Sequence, residues 1–206
     1  MKRTDKIWRL IPLVIIGLYL NYKFIKDSDN VFILDLYVEF AISFIFLISL
    51  IATILRDKKE YKLTKSNSSF LPTIVGLLFV LSFFVTNYLL TARDKSPILI
   101  QANYDGGFNG CGFEFREDGT YKFFNGSGLG VDYFRGNFTI KDSIITLDKS
   151  DIDNVIKSKF LAIRPYQNSD TTRTKIIFQI NDKHEIEDKD FGFIVNEDNR
   201  KIKGSW

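Results

Sequence analysis

Asp35 and Glu39 stand four residues apart, a spacing that sets both carboxylates on one face of a helix. At a membrane such a pair serves ion or proton transfer. Beside Lys23 or Lys26 it serves instead as the polar entry of an amphipathic segment, and its place next to an apolar run favours that role. The glycine-rich Gly126 to Gly130 (GSGLG) has the composition of a phosphate cradle, but no Lys-Ser/Thr follows and no helix opens there. A loop at the mouth of a β domain is the expected role. His184 is the only histidine and Cys111 the only cysteine. A metal centre needs several such ligands, so His184 is expected as a solvated turn residue and Cys111 as a small packing residue. The acids Glu185, Glu187, Asp188 and Asp190 read as a solvated connection, and Asn137-Phe138-Thr139 as a glycosylation-type triplet inside a strand. No nucleophile has an evident base and no acid–base pair converges, so no catalytic residue, metal or cofactor is expected; the chain reads as a non-enzyme.

The elements that position these residues fall into two halves. Phe70 to Leu90 runs 21 residues without a charge, enough to cross a hydrocarbon core. Ser68 and Ser69 are candidate N-caps there, and Pro72 suits the first turn. Phe40 to Leu55 is uncharged for 16 residues, and extension back to Val31 adds Asp35 and Glu39. Leu10 to Tyr22 is the third apolar run, with Pro12 expected in its opening turn. Its basic start resembles a signal peptide, but no small-residue cleavage pattern follows, so an uncleaved helix is expected. The spans are predicted at about 8–25, 33–55 and 70–92 within an anchor of residues 1–95. Isolated small residues (Gly17, Gly76, Ala41, Ser43) permit close packing within one bundle. They are also compatible with a homo-oligomer.

Charge orients that anchor. Lys2, Arg3, Lys6 and Arg9, with Arg56, Lys58, Lys59, Lys62 and Lys65, place nine cations on one side of a three-span topology, against four on the other (Lys23, Lys26, Arg93, Lys95). Cations flanking spans stay cytoplasmic. The expectation is a multi-pass protein of the cytoplasmic (inner) membrane, N terminus inside, C-terminal domain periplasmic or extracellular. Failure of one run to cross would move that domain to the cytoplasm. Residues 1–95 carry 13 Lys/Arg against 8 Asp/Glu, and residues 96–206 carry 15 against 17. The high pI therefore belongs to the anchor, and no nucleic-acid polymer is an expected partner.

Residues 96–206 read as strands throughout: Ile98 to Tyr104, Cys111 to Glu117, Thr120 to Asn125, Val131 to Ile140, Ser143 to Leu147, Lys159 to Arg164, Thr174 to Asn181 and Asp190 to Asn196. Asp118-Gly119 marks a hairpin, Lys141-Asp142 a turn, and Glu197-Asp198-Asn199 a closing turn. Asp151 to Val155 is too polar for a core strand. About eight short strands without a helix predict an antiparallel barrel or sandwich, so the fold class is membrane α plus all-β.

Phe115-Arg116-Glu117-Asp118-Gly119-Thr120-Tyr121, followed by Tyr133-Phe134-Arg135-Gly136-Asn137-Phe138-Thr139-Ile140 and Ile144-Ile145-Thr146-Leu147, resembles small lipocalin-like (calycin-type) envelope domains. In these, a DGTY hairpin precedes a Y-x-G-x-[FY]-x-I-x-x-x-x-I-x-L pattern. The resemblance covers about residues 104–150; it implies a β-barrel and no particular ligand. Its usual members are lipid-anchored or secreted, whereas this chain has three helices. In architecture alone the chain is also similar to antiphage effectors with transmembrane helices and a cyclic-nucleotide-sensing β-barrel, expected to face the cytoplasm.

The expected function is a membrane-anchored, non-enzymatic binding or protective module. Its barrel takes a small amphiphile in its mouth or a protein on its loops, as an immunity-type protein masking a toxin would. Loops 105–110, 126–130 and 165–173 are the expected contacts, with Tyr104, Phe108, Tyr133 and Tyr166 as binding aromatics. The alternative is a signal-gated effector whose cytoplasmic barrel senses a nucleotide while its helices oligomerise and disrupt the bilayer.

Overall fold

A computed structural model describes residues 3–167 and 173–200. Contacts divide the chain into two units, Met1–Lys95 and Ser96–Trp206. The first holds three helices, α1 (Arg3–Asp27), α2 (Ile33–Thr64) and α3 (Leu71–Ala92), with a short 3-10 turn at Asn67–Phe70 before the last. All three are long and apolar enough to cross a membrane, and only 17% of each apolar window is buried inside the protein.

Two helix boundaries and two caps differ from expectation. α2 continues to Thr64 instead of stopping near Leu55, because nothing in RDKKEYKLT breaks a helix; Lys65 ends it at a left-handed φ of 54°. α1 begins at Arg3, so Pro12 lies inside the helix, where it removes a backbone bond, and not in the opening turn. Ser68 and Ser69 sit in the 3-10 turn and do not cap α3. That role passes to Asp57 of α2, whose Oδ2 accepts hydrogen bonds from the Thr73 backbone N–H (3.0 Å) and hydroxyl (2.6 Å).

Asp57 also pairs with Arg9 of α1, and Arg9 donates a second bond to Glu60 at 2.7 Å. Lys6 lies 3.1 Å from the same Glu60. One ionic cluster thus ties together one end of all three helices. At the other end Lys23 lies 2.6 Å from Asp35, 3.0 Å from Asp27 and 3.5 Å from Glu39, and Arg93 lies 2.8 Å from Asp29. The Asp35/Glu39 pair is therefore a helix-end counter-ion set for Lys23. Between the clusters Leu13, Phe46 and Leu50 form a small core. Gly17 and Gly76 serve that packing: a Cβ on either would come within 2.5 Å of Phe79 or Leu50.

The second unit is a closed, eight-stranded antiparallel barrel: β1 (Ile98–Gly106), β2 (Asn109–Arg116), β3 (Thr120–Ser127), β4 (Gly130–Lys141), β5 (Ile144–Leu147), β6 (Phe160–Gln167), β7 (Arg173–Ile180) and β8 (Gly192–Asp198). Each strand pairs with the next in the chain, and β8 closes on β1 with Ala102 opposite Val195. Closure leaves no free edge. Two register shifts in β1, at Ile98/Ile100 and Gln101/Ala102, accommodate it.

Several turns are tighter than predicted. Residues 105–110 and 126–130 are not open loops: pairing runs on to Gly106↔Asn109 and Ser127↔Gly130, leaving only Gly107-Phe108 and Gly128-Leu129 as turns. Gly107 supplies the left-handed φ of 79° that a two-residue hairpin needs at its first central position. The β4–β5 turn is Asp142-Ser143, one residue beyond the predicted Lys141-Asp142, with Asp142 at φ 57°. Glu197 and Asp198 belong to β8, paired to Gln101 and Ile100, and not to a turn. In loop 165–173, Pro165 to Gln167 extend β6, and 168–172 lie outside the described residues.

Candidate functional site

Alternating positions on the barrel strands point inward, and a cluster of them is aromatic. The Phe113 ring lies 5.0 Å from Phe115, 4.8 Å from Phe123 and 5.2 Å from Phe193, all four wholly buried. With Ile100, Tyr121 and Leu161 they occupy the interior, the space in which some eight-stranded barrels hold a ligand. Cys111 belongs to this core, and burial pushes its thiol up to about 11. Gly136 explains part of the motif around it. A Cβ there would collide with the Asp148 carboxylate and the Tyr121 hydroxyl. Burial and that carboxylate hold the phenol of Tyr121 protonated far above its ordinary range.

One end of the barrel is stoppered by the β5–β6 connection. Asp151, Asp153 and Asn154 adopt left-handed φ values of 55°, 53° and 55°. These tight turns drive Ile152 and Ile156 into the core. The predicted polarity is real, but the isoleucines alternate with it and go inside. Buried Gln179 of β7 clasps this plug: its carbonyl accepts from the N–H groups of Lys157 (2.8 Å) and Ser158 (3.3 Å), and its amide donates to the Val155 carbonyl at 2.9 Å.

The same end carries the Gly107-Phe108 and Gly128-Leu129 hairpins, since both lie opposite to the end where β1 begins. Phe108 is 72% exposed and lies over Gly128, whose absent side chain leaves room for the ring. Leu129 is 55% exposed in the neighbouring turn. Tyr104 is half-buried at this end, 4.6 Å from Phe191. The four predicted contact residues are therefore not brought together. Tyr104 and Phe108 share the hairpin end. Tyr133 lies on the outer wall under Lys122 (4.6 Å) and Arg135 (5.7 Å). Tyr166, near the end of β6, is half-exposed at the opposite end.

Leu129 was not singled out from the sequence, although a large apolar residue between two turn glycines is a readable sign of an exposed hairpin tip. Gln179 carries no such sign, because its role depends on a plug that folds 22 residues away. His184 is exposed in a turn at φ 63°, and among the described residues no three metal-capable side chains cluster. No protein-family model, curated protein or solved structure matches the chain.

Proposed function

We propose that the chain is a membrane-anchored, non-enzymatic recognition module. Its three helices cross the cytoplasmic membrane with the N terminus inside, and its lipocalin-like barrel lies on the outer side. The observation that carries this reading is the aromatic filling of the barrel around Phe113. It leaves the surface, not the interior, as the binding element, which favours a protein partner over an amphiphile. The exposed Phe108 and Leu129 form the contact tip, as an immunity-type protein masking a toxin would require. Three helices of crossing length and the nine-to-four distribution of cations support the orientation. The sequential up-and-down closure of eight strands supports the lipocalin-like resemblance.

Cys111 is too buried to report the side on which the barrel lies, so Phe108→Cys is the useful variant. A membrane-impermeant maleimide should label it in intact cells from which any outer envelope has been stripped. Labelling only after lysis would place the barrel in the cytoplasm, and the nucleotide-sensing effector would replace this reading.

A further inference from the structure

At the end of the helical unit that carries most cations, α1 and the extension of α2 enclose a cleft of about 330 Å³, lined by Asp5, Trp8, Arg9, Arg56, Lys59, Glu60 and Leu63. Its charges are of two kinds. Arg9 and Glu60 are buried and committed to each other, with Asp57 and Lys6 completing a neutral set. Arg56 and Lys59 are exposed and have no ion-pair partner among the described residues. Set against Asp5, they leave the cleft with one net positive charge. Trp8 and Leu63, 72% and 77% exposed, give it apolar edges. Trp is the side chain that settles at the boundary between acyl chains and headgroups.

We propose that this cleft binds a phosphodiester, and that its source is an anionic phospholipid with a hydroxyl-bearing headgroup, of the phosphatidylglycerol type. Arg56 and Lys59 hold the phosphate oxygens, Asp5 accepts from the headgroup hydroxyls, and Trp8 and Leu63, on the water side of those cations, pack against the carbons of the headgroup. One phosphodiester cancels the single surplus charge, whereas a zwitterionic headgroup does not. Basic pockets between helices are the usual form of such sites. The inference needs the helices in a membrane but is independent of which side the barrel occupies.

Native mass spectrometry of the full chain in detergent, with defined lipids added, tests it. Phosphatidylglycerol should be retained over phosphatidylcholine and phosphatidylethanolamine. The variant R56Q/K59Q should weaken retention about thirtyfold, each cation contributing about fivefold. The variant K58Q/K62Q removes the same charge from α2 residues outside the cleft and should leave retention unchanged. Trp8→Ala, which leaves every charge in place, should also lower it. Equal retention of the three lipids, or equal effects of the two double variants, overturns the site. Displacement of the lipid by excess inorganic phosphate overturns the lipid as its source. Thermal midpoints matching the unaltered chain show that the variants fold; if R56Q/K59Q does not match, Trp8→Ala decides.

Discussion

Asp198 accepts hydrogen bonds from Arg200 (2.7 and 2.8 Å) and from Lys175 (2.6 Å), and Arg200, as the larger influence, holds its carboxyl far below the ordinary carboxylate range. Asp118 is lowered as well, chiefly by the Thr120 hydroxyl that it accepts from at 2.7 Å. A carboxylate depressed on folding stabilises above its unfolded pKa of about 4 and loses that contribution as pH falls. The thermal midpoint should therefore be flat through neutrality and fall below about pH 4. Asp198→Asn should flatten that fall, since the variant has no proton to take up there. An unchanged acid slope in D198N would remove Asp198 from the account. At this scale the sequence disclosed residue type but not company. Tyr133 is an aromatic contact candidate by composition, yet in the fold it is a platform under Lys122 and Arg135. Asp57, one of two acids among five cations of a basic stretch, gave no sign that it would be buried.

Elements are held by side chains reaching across from other elements. Asp57→Ala removes the cap of α3 and leaves Arg9 with Glu60 alone in a buried site. Breaking such a buried pair costs about 3–5 kcal/mol. The midpoint of the helical unit in detergent, followed by helical circular dichroism, should fall accordingly, while the β signal is retained. In the barrel, Gln179→Ala strips partners from two N–H groups and one carbonyl of the plug. Unpaired buried groups cost about 1–3 kcal/mol each. Amide exchange at Lys157 and Ser158 should accelerate well before the strands exchange; uniform acceleration across the barrel would show the plug and strands to be one cooperative unit. Strands were readable because period-two alternation and turn residues are local signals. Their ends were not, because pairing continues as long as a neighbour offers partners. That is why 105–110 and 126–130 shrink to two-residue turns.

Taken whole, the molecule joins a unit that hides little of its apolar surface to one that hides most of it. Ile15, Phe40, Phe44, Leu55, Leu78 and Phe84 are among many large apolar side chains exposed on the helices. Surface of that kind calls for lipid. The full chain should stay in the membrane pellet after a carbonate wash at about pH 11, which strips proteins held by charge alone; release into the supernatant would contradict spanning helices. The two ionic clusters lie about 21 Å apart along α1, from Arg9 to Lys23, and about 27 Å apart along α2, from Glu39 to Asp57, at 1.5 Å per residue. That interval is close to a hydrocarbon core of about 30 Å. Hydropathy, charge asymmetry and strand alternation are properties of neighbouring residues, so the chain alone determined three apolar helices, their expected orientation and an antiparallel β domain of about eight strands. Three matters were left to the tertiary structure: closure of the sheet on itself, the filling of its interior by Phe113 and its neighbours, and the joining of the helices through Arg9, Asp57 and Glu60. Each depends on which distant side chains share one volume, and no local pattern of residues encodes that.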